Sequence, residues 1–346
     1  MAVKPQRLRP GDVVAVVSPS WGGPALFPAT YEAGLNTLRG LGLVVREYPS
    51  ARAAKASVED RVSDIHAAFA DQDVRAIVAS IGGEDSVRLL PRLDSQLLAD
   101  NPKIVLGYSD TCTLLVYLRS LGHVAFHGPS VMGGLAQAAS YPGTFLEQFT
   151  SILFGAASSF EYPSFGVFCD GYEDWSNPQN ATRTKPLVSD SGPRVVQGQC
   201  LRRGVLWGGC LEILEMVKGT PWWPKPEAWR DAVVFIEGSE EVPPPELYSR
   251  VLRSWAAAGN LDHVAALLVG RARGYDASQK QALDDAVRTA IGVEAGRPDM
   301  PVITNCDFGH TDPQWLLPMG CMVEVDIQRT RIALTESAVS NPAAAR

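Results

Sequence analysis

Ile104-Val105-Leu106-Gly107-Tyr108-Ser109-Asp110-Thr111 is an apolar run that becomes polar at Ser109. Its apolar half predicts a buried strand, and the helical spacing from Asp110 to Leu121 predicts a helix that stops at Gly122. A strand that leads straight into a helix is the repeating unit of a parallel sheet, whose ligands gather at the carboxyl ends of the strands. The serine at this junction is therefore the first candidate site residue.

The same alternation of strand and helix patterns runs through the first half of the chain. β-Branched runs predict five strands, at Val13 to Ser18, Leu43 to Glu47, Ala76 to Ser80, Ile104 to Gly107 and Val124 to His127. Ser57 and Asp60 form a capping-box pattern, which predicts that a helix starts there. The second half predicts a mixture of strands and helices. We therefore predict an α/β fold with a doubly wound parallel sheet, followed by a mixed α/β domain.

Composition excludes several classes of protein. The chain has 346 residues, 46% of them hydrophobic and 20% charged, which is enough for two folded domains. A net charge of -7 offers no basic surface for a nucleic acid. The sequence has no signal-peptide pattern, no apolar stretch long enough to span a membrane, and no C-x-x-C pair among its cysteines. We expect a cytoplasmic protein that acts on a small-molecule or peptide substrate, without nucleic acid or membrane partners.

Two turns after predicted strands carry residue types suited to hydrolysis. Gly82 and Gly83 follow the strand Ala76 to Ser80, where they fit either a tight turn or bare N–H groups that hold a phosphate or an oxyanion. Ser109 fits either a helix N-cap or a nucleophile exposed at a strand-to-helix turn. Local sequence alone favours a tight turn at Gly82 and Gly83 and a helix N-cap at Ser109.

A serine nucleophile needs a base that takes its proton. His310 is the best candidate because it lies in a polar loop after a predicted strand. Surface or boundary roles are expected for His66 and His263. His123 and His127 could share a metal, but no carboxylate accompanies them and structural roles are expected. His310 also fits a metal site with Asp307 and Asp312, but a third strong ligand cluster is missing.

The base in turn needs an acceptor that orients its ring. Glu237 ends the apolar run Val233 to Ile236, and a carboxylate at a strand end is well placed for this role. Glu240 and Glu241 follow closely and are the alternatives, although both are expected to be solvated loop charges.

Five motifs occur in a fixed order along the chain: Ser80 to Leu90, Gly107 to Asp110, Leu206 to Leu211, Phe235 to Glu237 and Asp307 to Thr311. In this order they resemble the serine LD-carboxypeptidase family, and most of all its branch of microcin C immunity peptidases. The resemblance implies a Rossmann-like nucleophile domain at residues 1–165, an interdomain substrate loop at 166–195, and a C-terminal domain at 196–346 that contains a small β-barrel.

The resemblance also implies roles for individual residues. Ser109 would be the nucleophile, His310 the general base and Glu237 its acceptor, with the backbone N–H groups of Gly83 and Asp110 as the oxyanion hole. The family uses no metal or other cofactor, and a homodimer is expected.

Substrate choice differs between the branches of this family. The immunity branch cleaves the amide that joins an aminoacyl or peptidyl group to a modified adenylate, whereas murein-recycling members remove the terminal D-alanine of a tetrapeptide. Trp175 matches an aromatic residue that stacks on the nucleobase, although a loop tryptophan can equally pin its loop to the protein body. Trp207 lies in a motif of the branch and is expected to line the cleft or pack beneath it. A non-catalytic small-ligand binding protein is the third hypothesis.

Overall fold

The computed structural model describes residues 2–155 and 157–341. Its strands are β1 Val13–Val17, β2 Val44–Glu47, β3 Val74–Ala79, β4 Ile104–Gly107, β5 Ala125–His127, β6 Phe160–Glu161, β7 Val167–Phe168, β8 Val188–Ser189, β9 Arg194–Gln197, β10 Arg202–Cys210, β11 Ala232–Glu237, β12 Ala266–Gly270, β13 Val302–Cys306, β14 Leu317–Met319, β15 Met322–Asp326 and β16 Arg331–Leu334. Its α-helices are α1 Gly23–Leu26, α2 Pro28–Gly40, α3 Val58–Ala70, α4 Ser95–Asp100, α5 Cys112–Ser120, α6 Thr144–Phe149, α7 Leu211–Val217, α8 Pro226–Trp229, α9 Pro245–Ala257 and α10 Ala277–Arg288. None of the helices in these residues is both long and apolar enough to cross a membrane.

The first sheet has six strands in the order β14-β5-β4-β3-β1-β2. Strands β1 to β5 are parallel, which confirms the predicted parallel sheet of the N-terminal half. The predicted capping box is present at the start of α3, where Ser57 and Asp60 bond to each other's backbone N–H groups. The sixth strand, β14, comes from the far end of the chain and pairs antiparallel with β5. The expected division of the chain at residues 166–195 stays a prediction.

The second sheet has eight strands in the order β6-β16-β15-β10-β11-β12-β13-β9. Its centre, β10 to β13, is parallel, and antiparallel strands flank this centre on both sides. The mixed α/β second domain is therefore confirmed. The expected closure into a small β-barrel is not found in the described residues, because the edge strands β6 and β9 do not pair with each other.

A largely buried ion cluster fastens the long segment between the two halves. Arg271 follows β12 and pairs with Asp190 of that segment at 2.9 Å, and its guanidinium also bonds to the buried Asp307. Burial raises the pKa of Asp307 even though Arg271 opposes this change. The cluster thus depends on the arginine, since a buried carboxylate without a partner is costly.

Replacing Arg271 by methionine should destabilise the fold by about 3 to 5 kcal/mol, because Asp307 and Asp190 lose their buried cation. Urea unfolding at neutral pH measures this change. The matched control is Arg329→Met, which removes an exposed arginine whose partner Asp326 lies 3.9 Å away. The control should change the free energy of unfolding by less than about 0.5 kcal/mol. Equal stability of the two variants would contradict the role of the cluster.

Candidate active site

The carboxyl ends of β3 and β4 bring the two predicted turns together. Ser109 begins a short 3₁₀ turn before α5 and has a φ of 56°, a left-handed conformation that is unusual for a residue with a side chain. A Cβ placed on Gly82 would lie 2.8 Å from Cβ of Ser109 and 2.9 Å from its Oγ. Gly82 is therefore required for Ser109 to occupy this position.

The two predicted oxyanion donors lie beside this serine. Gly83 has a φ of 148°, and a Cβ there would collide with the side chain of Ser20, so only glycine fits. In the part of the chain that the structure describes, the N–H groups of Gly83 and Asp110 donate no hydrogen bond. The carboxylate of Asp110 is buried and accepts a hydrogen bond from the N–H of Ser86 at 2.9 Å. Both N–H groups are thus free to donate to a ligand.

The predicted base and acceptor meet at the end of β11. Nδ1 of His310 lies 2.7 Å from Oε2 of Glu237, and both side chains are buried. The pair is tightly enclosed, since a Cβ on either Gly270 or Gly309 would lie 2.8 Å from Cβ of Glu237. Burial alone would raise the pKa of Glu237, but the charge of His310 lowers it below its ordinary value. Glu237 is therefore an anion that orients the His310 ring.

A second carboxylate reaches the same ring from the loop after β11. Oε2 of Glu240 lies 3.0 Å from Nε2 of His310, which corrects the expectation that Glu240 is only a solvated charge. The contact has ion-pair distance without hydrogen-bond geometry. Burial lowers the pKa of His310, but the charges of Glu237 and Glu240 outweigh burial and raise it to about 10. The two carboxylates therefore favour the protonated form of His310 in this arrangement.

His127 also approaches the pair, a contact that the sequence did not indicate. Its Nε2 lies 3.6 Å from Oε1 of Glu237, and its ring is completely buried. The signal available in the sequence was its position at the end of β5, next to β4 in a parallel sheet. A structural role was expected for His127, and its position fits one in which its ring packs against the Glu237 carboxylate.

Ser109 and His310 line one cavity of about 700 Å³. In the described residues, Oγ of Ser109 makes no hydrogen bond to His310 or to any other side chain. Trp175 lines the same cavity and stacks on Tyr172, with ring centroids 5.0 Å apart. Its edge meets Phe27 at 5.7 Å, so an aromatic wall stands beside the serine.

The structure does not bring Trp207 to this cavity. Its ring is buried among Trp223, Trp229 and Trp255, with centroid distances between 4.7 and 6.3 Å. It lines a separate cavity of about 440 Å³. Trp207 therefore packs in the core of the second half and does not contact a ligand beside Ser109.

The metal alternative for His310 is not supported. Asp307 pairs with Arg271, and Asp312 accepts a hydrogen bond from Tyr172. Among the described residues, one group of possible metal donors converges, namely Cys210, Glu237 and His310. We assign no metal to this group because Glu237 and His310 are already bonded to each other.

Three features on one cavity are typical of serine hydrolases: a half-buried serine at a strained turn, two free N–H groups, and a buried carboxylate–imidazole pair. Comparison with known protein families supports this assignment to the serine hydrolases. Residues 14–128 match the LD-carboxypeptidase N-terminal domain, and residues 203–325 match the LD-carboxypeptidase C-terminal domain. The chain belongs to the LD-carboxypeptidase family and is a serine carboxypeptidase-like hydrolase.

Relatives with different names align along most of the chain. The microcin C7 self-immunity protein MccF of Escherichia coli is 26% identical over 291 residues, covering 82% of this chain and 80% of the relative. The probable murein peptide carboxypeptidase of Bacillus subtilis is 26% identical over 352 residues, covering 98% of this chain and 96% of the relative. The crystal structure of an MccF-like protein from Streptococcus pneumoniae in complex with AMP matches with a TM-score of 0.82 and 26% identity, covering 94% of this chain and 98% of that chain.

Replacing Gly82 by alanine should displace Ser109, because the new methyl group would lie within 3 Å of its side chain. We expect kcat/KM to fall by about 100-fold on the substrate that the wild-type chain hydrolyses, since small displacements of a reacting group are costly. Gly40→Ala is the control, because a Cβ at Gly40 meets no neighbouring atom within 4 Å. Full turnover by the Gly82→Ala variant would show that Ser109 does not need its observed position.

Proposed function

We propose that the chain hydrolyses an amide bond with Ser109 as nucleophile, His310 as general base and Glu237 as the acceptor that orients His310. One observation carries this proposal. Ser109 has a left-handed backbone conformation on the same cavity as the buried Glu237–His310 pair. A helix N-cap has no need for this strained conformation, since N-cap residues ordinarily have extended backbone angles.

The reaction requires one proton carrier. Oγ of Ser109 forms a bond to the carbonyl carbon while its proton passes to Nε2 of His310, since Nδ1 is bonded to Glu237. The carbon–nitrogen bond then breaks, and the leaving nitrogen takes that proton. Water attacks the acyl-serine by the same route, which releases the acid and restores Ser109.

The negative charge that develops on the carbonyl oxygen needs donors. In this proposal the N–H groups of Gly83 and Asp110 supply them, and both groups lie at the turns that flank Ser109. One such donor contributes about 3 kcal/mol of transition-state stabilisation in well-studied hydrolases.

We propose as substrate an aminoacyl or peptidyl group joined by an amide to a modified adenylate. Trp175 supports this choice because it presents an indole ring on the cavity that Ser109 lines. Tryptophan suits adenine because the two flat ring systems can stack. A relative named as a microcin C7 self-immunity protein and an MccF-like structure with AMP give further support.

A murein tetrapeptide is the alternative substrate. Arg273 favours it, because this residue lines the cavity and forms no ion pair within the described residues. An unpaired guanidinium suits the terminal carboxylate of a peptide. A relative named as a probable murein peptide carboxypeptidase supports the same alternative.

A side-by-side assay separates the two substrates. The wild-type chain should release the amino acid from an aminoacyl sulfamoyl adenosine faster than it releases D-alanine from a murein tetrapeptide, as measured by mass spectrometry. Ser109→Ala should lower kcat by at least about 1,000-fold, since the residual rate rests on binding and the oxyanion donors. Ser278→Ala, on the exposed face of α10, is the matched control.

Faster release of D-alanine would assign the murein substrate. Retention of wild-type turnover by the Ser109→Ala variant would rule out the proposed nucleophile for both substrates.

A further inference from the structure

Glu240 contacts the nitrogen of His310 that the proposed reaction needs. Only Nε2 of His310 is available to take the proton of Ser109, because Nδ1 is bonded to Glu237. That nitrogen faces Oε2 of Glu240 at 3.0 Å. A protonated imidazole between two carboxylates cannot act as a base. Glu240 must therefore leave before the reaction begins.

The side chain of Glu240 can move while its loop stays in place. The backbone of the loop is fixed at both ends: Ser239 donates hydrogen bonds to Glu212, and Tyr275 donates one to the carbonyl of Pro243. The Glu240 side chain is 56% exposed to solvent. Rotation of this side chain thus costs little, since the carboxylate stays hydrated.

A new cation beside Glu240 would favour the rotated side chain over the contact with His310. Arg273 lines the same cavity and forms no ion pair with Glu240. We propose that Glu240 is a specificity-determining residue that binds a cationic amino group on the acyl part of the substrate and thereby releases Nε2 of His310. The inference rests on the proposed function and names the chemical class of the acyl group.

This exchange couples recognition to activation. An amine-bearing substrate offers Glu240 a new partner, and the extra proton of His310 then passes to solvent, which leaves Nε2 free to accept the proton of Ser109. A substrate whose amine is acetylated leaves Glu240 on His310. The preference for a free amine would therefore appear in binding as well as in rate.

The charged and titratable groups around the His310 ring are few. They are Glu237 at the end of β11, Glu240 on the following loop, Cys210 at the end of β10, His127 at the end of β5, Tyr108 after β4, Tyr172 on the long segment, Asp312 on its own loop and Arg273 after β12. Removal of the Glu240 charge leaves Glu237 in place, so the pKa of His310 should fall without losing the orienting bond.

Nuclear magnetic resonance of the histidine side chains tests the resting contact without any substrate. Glu240→Gln should move the titration of His310 to lower pH by about 1 or more, because one of two stabilising carboxylates is gone. Glu241→Gln is the matched control, since it removes the same charge from the neighbouring position, which forms no ion pair in the described residues. Equal titration of His310 in wild type and Glu240→Gln would overturn the contact.

Binding measurements test whether Glu240 exchanges His310 for the amine of the substrate. In a Ser109→Ala background, calorimetry compares aminoacyl sulfamoyl adenosine with its N-acetyl form, and a murein tetrapeptide with its N-acetylated form. We expect the free amine to bind about 10-fold more tightly in the substrate class that binds, as for a partly exposed charge-assisted contact. Glu240→Gln should abolish this preference, and Glu241→Gln should keep it.

Failure of the proposed adenylate substrate and failure of the proposed role of Glu240 would give different results. Binding of the tetrapeptide pair alone would count against the adenylate substrate and leave the amine preference measurable. No amine preference in either pair, or a wild-type preference in Glu240→Gln, would overturn the role of Glu240.

Discussion

The hydrogen bond between Glu237 and His310 is the contact on which the arrangement of the site depends. Glu237 ends a buried strand, and a carboxylate without solvent needs a cation within bonding distance. His310 supplies it only because Gly309, with a φ of 104°, lets the loop approach the strand closely. The chain continues from this loop into Leu317–Met319, which joins the first sheet beside His127. One buried pair thus links the two sheets and sets the position of the candidate base relative to the candidate nucleophile.

Ser109 is held by packing of a different kind. Its left-handed backbone is intrinsically unfavourable by about 1 to 3 kcal/mol and persists only where the surroundings enforce it. Gly82 permits this position, because it has no side chain to displace the serine. Charge therefore positions the base, whereas sterics position the serine. Neither constraint is visible when the serine, the glycine or the histidine is considered in its local sequence alone.

Features that depend on neighbouring residues in the chain could be predicted from the sequence. The parallel strands, the capping box of Ser57 and the turn at Ser109 follow from periodicity and local side-chain chemistry. Features that depend on distant segments could not. Leu317–Met319 is short and contains a proline, so nothing in its pattern indicates pairing with the first sheet. The contact of Glu240 with His310 joins two loops, and an exposed acidic residue in a loop has no local signal for such a partner.

Chemistry and specificity occupy different parts of this fold. The serine, the carboxylate and the candidate oxyanion donors lie at strand ends or adjoining turns, which the sheets hold rigidly. The groups that face a ligand from other directions lie on loops: Trp175 on the segment that Arg271 fastens through Asp190, and Glu240 on the loop after β11. A family with one reaction and several substrates requires this separation, because loops can change without disturbing the strand ends. In this chain both loops are anchored by buried or paired backbone contacts, so the choice of substrate reduces to the side chains they present. Under the proposed function, the aromatic face of Trp175 and the negative charge of Glu240 would select for a flat ring at one end of the ligand and a cation near its scissile bond.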